Sequence, residues 1–250
     1  MRSRDEVETV LALVAAGLND CEISRRTRIP RCTVRDWRHG RTPDWDLHDA
    51  VEGPCAVDHA ACLPGPEYAY LLGIYLGDGC ISRDRRGVWR LRIVADARYP
   101  CILEEIARAM EAMFPTKRAY RLDRRGCVEI SMYSKHWTCL FPQHGPGRKH
   151  LRPIELADWQ RMVVETCPGS LLRGLIHSDG CRILARERKG RYVRHAPRYH
   201  FSNRSEDIKR IFCDTCDLLG IHWTRPNTRG IAIYRLASVA RLDEFVGPKQ

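Results

Sequence analysis

The nine residues from Leu71 to Gly79 read LLGIYLGDG, and 101 positions later Leu172 to Gly180 read LRGLIHSDG. A repeat at that distance restricts the chain to folds built from two copies of one unit. The similarity runs beyond the motif. Each copy is followed by a cysteine (Cys80, Cys181) and by an arginine-rich stretch of alternating character. An amphipathic segment comes next, Ile102 to Phe114 and Ile208 to Leu219, spaced as a helix. Then come Arg125-Gly126-Cys127-Val128-Glu129-Ile130 and Arg229-Gly230-Ile231-Ala232-Ile233. A short helix and a glycine-led lysine close each copy, Gly147-Arg148-Lys149 and Gly247-Pro248-Lys249. The motif aspartate precedes that lysine by 71 residues in one copy and 70 in the other. Order kept this far in both copies is the mark of a tandem duplication with a pseudo-twofold axis.

The motif reads as one member of a helix pair. Gly73 and Gly77 lie four apart and share a face, as do Gly174 and Ser178. A glycine inside a helix costs about 1 kcal/mol against alanine, so its placement here points to close backbone packing. Gly79 and Gly180 are expected to end the helices in the left-handed conformation. Asp78 and Asp179 stand just before those ends, where the helix dipole disfavours a carboxylate. A rule broken identically in both copies points to a functional site, and a bound cation would relieve it.

These residues make the stretch 67–250 resemble the LAGLIDADG (DOD-type) homing endonucleases in their two-motif, single-chain form. The resemblance implies an α+β fold with αββαββα halves. Each antiparallel sheet would straddle the DNA major groove, and the motif helices would pack between the halves. It further implies that Asp78 and Asp179 bind Mg²⁺ and position water at a scissile phosphate. Lys149 and Lys249 match the family's basic residue by their place after the last helix of each half. Alternation along the strands then assigns a DNA-facing set. Arg90 and Arg92 oppose Leu91 and Ile93, and Arg198, His200 and Ser202 oppose Tyr199 and Phe201.

The first forty residues read differently. Val7, Val10, Leu11 and Val14 recur at helical spacing, Asn19 offers an N-cap, and Pro30 opens a third helix carrying Val34 and Trp37. The stretch GLNDCEISRRTRIPRCTVRDWRHG resembles the helix-turn-helix of resolvase-like DNA-binding domains. There the second helix of the motif enters the major groove, which makes Arg31, Thr33, Arg35 and Arg38 candidate DNA contacts. The expected organisation is a helix-turn-helix module at 1–42, an acidic Pro/Gly linker at 43–66, half 1 at 67–150, a connector at 151–170 and half 2 at 171–250.

Charge supports an anionic partner. The chain has 42 Lys+Arg against 31 Asp+Glu, a net charge of +11 in 250 residues. Residues 43–66 hold five acids and no Lys or Arg, so the basic charge belongs to the module and to the duplicated body. The partner expected is double-stranded DNA, held by a monomer with internal pseudo-dimer symmetry. No apolar run approaches the roughly 18 residues of a membrane span, and a cytoplasmic, nucleoid-associated protein is expected. Zinc is not expected. Cys55, Asp58, His59 and Cys62 lack a second paired half-site, and Cys213 and Cys216 share one face of a helix. Two functions fit the pattern: a Mg²⁺-dependent site-specific endonuclease, and a non-cleaving transcription regulator that uses the duplicated fold as a DNA clamp.

Overall fold

The computed structural model describes residues 3–42, 63–84, 88–189, 191–247 and 249. Most of the expected linker lies outside the described residues, and so does the Cys55/Asp58/His59/Cys62 cluster. The chain divides into two compact units, Met1–Ala56 and Val57–Gln250.

Among its described residues the first unit holds three helices, α1 (Arg4–Ala15), α2 (Asp20–Thr27) and α3 (Arg31–Arg38). Two capping boxes start the first two. Ser3 accepts from Glu6 N at 3.2 Å while Glu6 accepts from Ser3 N at 2.9 Å, and Asn19 and Glu22 repeat the exchange. Arg28, in the left-handed conformation, ends α2, and Pro30 leads into α3. Val7, Val10, Ile23, Ile29, Val34 and Trp37 form the unit's core. Leu11, read from periodicity as part of the apolar stripe, is exposed.

In the second unit, half 1 runs α4 (Gly65–Asp78), β1 (Gly79–Arg83), β2 (Trp89–Asp96), α5 (Pro100–Met113), β3 (Tyr120–Arg124), β4 (Cys127–Ser134) and α6 (Trp137–Leu140). Its sheet is antiparallel in the order β1-β2-β4-β3. This is the αββαββα order. A connector helix α7 (Asp158–Thr166) leads to half 2, which comprises α8 (Pro168–Asp179), β5 (Gly180–Lys189), β6 (Tyr192–Ser202), α9 (Glu206–Leu218), β7 (Gly230–Ile233) and α10 (Leu236–Asp243). The three-stranded sheet here has the order β5-β6-β7. Where half 1 has β3, half 2 has a single bridge from Thr224 to Ala232. Arg225-Pro226-Asn227 follows at once, and proline has no N–H to extend a ladder.

The motif helices sit at the centre of the core. Residues Tyr68 to Leu76 of α4 are buried without interruption, so the helix is apolar all round, as a helix enclosed on every side must be. Leu171, Leu172, Leu175 and Ile176 of α8 are equally buried. The sheets cover this pair through Leu91, Ile93, Ile130 and Met132 in one half, and Tyr199, Phe201, Ile231 and Ile233 in the other. Tyr68 and Gln160 tie the connector to half 1, with Gln160 Nε2 donating to the Tyr68 hydroxyl at 2.6 Å.

Candidate active site

Backbone contact between α4 and α8 depends on missing side chains. A Cβ on Gly73 would fall 2.5 Å from the carbonyl oxygen of Leu171, and one on Gly174 would overlap the carbonyl of Tyr70. One on Gly77 would strike Ser178 and come within 3.0 Å of Asp179 Oδ2. The Ser178 hydroxyl turns back on its own helix, donating to Gly174 O at 3.1 Å and Leu175 O at 3.0 Å. Gly73, Gly77, Gly174 and Ser178 thus line the closest approach of the two helices.

The terminal glycines do something else. Neither Gly79 (φ −74°) nor Gly180 (φ −113°) is left-handed, and both are extended. The helices end at these two glycines as expected, but the expected left-handed conformation is corrected to an extended one. Each glycine lets the first residue of a strand pass close over the preceding helical turn. Its Cβ would lie 2.6 Å from Tyr75 Cα in one half and 2.8 Å from Ile176 Cα in the other.

This seam brings the ends of α4 and α8 together, and with them Asp78 and Asp179. Enclosure by protein, then repulsion from Asp179, pushes the Asp78 carboxyl up to about 6, although the residue keeps contact with solvent. Burial also raises Asp179, opposed by a 2.6 Å hydrogen bond from Asn203 Nδ2. Among the described residues, no group donates a hydrogen bond to the Asp78 carboxylate.

Each lysine caps the helix that ends in its half. Lys149 Nζ donates to the carbonyls of Tyr75, Leu76 (3.2 Å) and Gly77 (3.1 Å) at the end of α4. Lys249 Nζ donates to His177 O at 3.0 Å and Gly180 O at 2.6 Å at the end of α8. Leu76, Gly77 and His177 are among the last residues of their helices, whose carbonyls lack a partner within the helix and carry the negative end of its dipole. Burial lowers Lys149 to about 8, while Asp78 and Asp179 pull it upward. Lys249 is lowered by the same cause. Two carboxylates and two ammonium groups therefore share one electrostatic centre. The acidic pair, with hydrogen-bond capacity to spare, suits a hard cation that takes oxygen ligands.

A cleft of about 920 Å³ opens beside this centre, lined by Asp179, Lys149, Arg83, Arg148, Arg204 and Arg229 among others. Sequence reasoning missed Asn203, Arg83, Arg204 and Arg229 as site residues. A signal existed for the last, since Arg229-Gly230 repeats Arg125-Gly126 of the first copy.

The strand residues alternate as expected for the core, with Leu91, Ile93, Tyr199 and Phe201 all buried. Their neighbours on the other face are partly engaged. Arg90 donates to Glu129 at 2.6 Å and to Ser131 at 2.9 Å. Arg92 reaches Cys80 Sγ at 3.9 Å. Arg198 lies over the ring of Tyr234 at 4.9 Å, and His200 meets that ring edge-on. In the first unit Arg31 and Arg35 are exposed and Thr33 is half-buried. Arg38 is turned inward, donating to Asp20 at 2.7 Å and to Leu18 O at 2.8 Å, so it braces α3 against the start of α2. Cys213 and Cys216 are buried on α9, and their thiols are raised by desolvation. No group of three or more His, Cys, Asp and Glu gathers as a metal site among the described residues.

No protein-family model matches this chain. No curated protein sequence matches it either. Among solved structures it is similar to the homing endonuclease I-DmoI in complex with DNA and Mn, at 13% identity and a TM-score of 0.49, covering 73% of this chain and 96% of that one. It is also similar to the LAGLIDADG meganuclease I-AabMI bound to uncleaved DNA, at 10% identity and a TM-score of 0.46, covering 71% and 82%. A third likeness is to I-SmaMI bound to an uncleaved DNA target in the presence of calcium ions, at 8% identity and a TM-score of 0.45, covering 72% and 85%.

Proposed function

We propose that the protein is a divalent-cation-dependent endonuclease of the LAGLIDADG type that hydrolyses a phosphodiester bond in each strand of a specific duplex DNA site. One observation carries this reading. Asp78 and Asp179 meet at the joined ends of two helices whose dipoles and mutual repulsion both oppose them. A fold maintains such a cost where the charge is used.

Asp78 and Asp179 would hold a hard divalent cation such as Mg²⁺, which supplies Lewis-acid charge at a phosphate oxygen and activates water. Asn203 holds the Asp179 carboxylate in one orientation. Lys149 and Lys249 supply fixed positive charge beside the position where negative charge grows on the phosphate. The arginines of the cleft offer contacts to the flanking phosphates. A single chain carries both halves of the site and would act as a monomer in the cytoplasm, at the nucleoid. The three-helix unit would add DNA contacts through Arg31, Thr33 and Arg35.

That three-helix unit also favours the second reading, a regulator that binds DNA without cutting. The deciding experiment uses a duplex selected by the protein from random DNA, with Mg²⁺ or Ca²⁺ present. An endonuclease cuts both strands under Mg²⁺, and Asp78→Asn or Asp179→Asn abolishes cutting while binding persists. Tight binding with intact DNA under Mg²⁺ establishes the regulator. Full cutting by either variant removes the assigned residues.

A further inference from the structure

Lys249 reaches its helix end from a segment held by two side chains of α8, which are themselves braced from the other half. Gly247, at φ +67°, turns the chain after α10 so that Lys249 comes back over α8. Just before that turn, Arg173 of α8 donates through Nη1 to Phe245 O at 2.6 Å and Val246 O at 2.5 Å. The same guanidinium grips Glu105 of α5 with both of its other edges, Nε to Oε1 at 2.7 Å and Nη2 to Oε2 at 2.8 Å. His177, buried one turn further along α8, lies 3.2 Å from Val246 O through Nε2 and 3.1 Å from the Tyr70 hydroxyl through Nδ1. A carbonyl only accepts, so Nε2 carries the proton toward Val246. The neutral ring then accepts from Tyr70 at Nδ1.

Tyr70 and Glu105 belong to half 1, whereas Arg173, His177 and the terminal segment belong to half 2. Lys149 is mounted otherwise. Arg152, three residues beyond it, donates to the carbonyls of Gln143 (3.1 Å) and Gly147 (2.9 Å) within the same loop. The two lysines share one equivalent carbonyl, Leu76 in one half and His177 in the other, but are carried differently. Among the described residues, the first tie from the Lys149 side to half 2 is Ile154 N donating to Asp207 Oδ2 at 2.9 Å, five residues on.

We propose that Arg173, His177, Glu105 and Tyr70 are positioning residues for Lys249, a clasp through which half 1 controls only one of the two hydrolytic centres. Lys249 serves one strand's phosphate and Lys149 the other's, beside the shared carboxylates. The clasp stands on geometry alone, while its catalytic consequence rests on the endonuclease reading. Loosening it frees residues 245–249, slows one strand's hydrolysis and leaves the centre served by Lys149 at work. The reaction then stops at a nick.

The test compares the full-length wild type with Arg173→Gln, Glu105→Gln and the near-isosteric Tyr70→Phe, which removes one hydroxyl and keeps the ring. Hydrogen exchange on the C-terminal peptide reads the clasp without any need for cleavage. At least about tenfold faster exchange is expected in Arg173→Gln, the scale of one lost charge-assisted hydrogen bond, with exchange in α4 unchanged. Tyr70→Phe should give a smaller rise in the same peptide. A supercoiled plasmid bearing the selected site, with Mg²⁺, reads the consequence. Arg173→Gln should accumulate nicked circles cut in one defined strand, at unchanged DNA affinity. Unchanged exchange in all three variants overturns the clasp. Faster exchange with both strands still cut in wild-type proportion overturns its link to one centre. Should wild type cut nothing, the endonuclease reading fails, and the exchange result still decides the clasp.

Discussion

Asp179 Oδ2 lies so close over Gly77 that a Cβ on the glycine would come within 3.0 Å of it. Seam and site are therefore the same piece of structure, and packing changes in one are felt in the other. Gly174→Ala meets backbone, the carbonyl of Tyr70, which has nowhere to move. We expect it to cost about 1–3 kcal/mol or more, the usual range for overpacking. Gly77→Ala meets the Ser178 side chain first, so its stability loss should be smaller and its loss of cleavage disproportionately large. Urea denaturation beside cleavage kinetics tests this. Equal stability losses with intact activity in Gly77→Ala would disprove it.

Asp78→Asn should raise the thermal midpoint at neutral pH without divalent cations while it abolishes cleavage. The folded carboxyl is raised to about 6, above its ordinary value of 3.8, so the fold disfavours its ionised form. Its contribution to stability is full below the ordinary value and disappears as pH rises through about 6. The wild type should thus lose stability relative to the variant between those limits. Adding Mg²⁺ should stabilise wild type and leave Asp78→Asn unmoved. A midpoint for the variant that stays at or below wild type across this range argues against the assigned electrostatics.

Arg90 and Arg92 stand two apart on β2 and should separate in experiment. Glu129 is only 4% exposed on the outer side of the sheet, and Arg90 and Arg124 neutralise it there. Removing Arg90 leaves that carboxylate underpaired, at a cost of about 1–3 kcal/mol. Arg92→Ala should instead leave stability nearly unchanged and weaken DNA binding with a shallower salt dependence. Titration of duplex DNA at several salt concentrations, beside unfolding curves, distinguishes the two. Identical behaviour would show that one role is misassigned.

Asp243 provides an acid limit. Arg182 donates to it twice, at 2.7 and 2.8 Å, and the Tyr199 hydroxyl donates at 2.6 Å. These bonds hold its carboxyl below the ordinary 3.8. Its stabilisation is present above that value and is lost as pH falls through the depressed one. Asp243→Asn should therefore flatten the decline in stability below pH 3.8. Matching acid-unfolding curves for variant and wild type would count against the pairing.

Much of this was legible before the fold was known, because the duplicated motif marks the same positions twice. The seam glycines, the two aspartates and the alternation around Leu91 and Tyr199 follow from periods that any helix or strand imposes. Other features carry no periodic trace. A glycine needed for clearance over Tyr75 has the same letter as one needed for a left-handed turn. Arg38 reads as outward-facing on α3 until Asp20 is seen at its tip. Glu129 looks like an exposed strand residue until its two arginines close over it. Asn203 sits just beyond β6, where nothing in the chain announces a carboxylate 24 positions earlier. The strand missing from half 2 leaves no trace in the repeat, since Thr224 keeps a single bridge where half 1 has all of β3.

The contact between Gly73 and Gly174 leaves no room for even a methyl group. That closeness divides the molecule into a part that must stay the same and a part free to vary. The outer faces of the two sheets can change residue by residue, and with them the surface presented to a partner. The helices between them cannot follow, since a change on either side must be answered by the other. A lineage built on this scaffold can alter what it grips far more readily than how its halves meet.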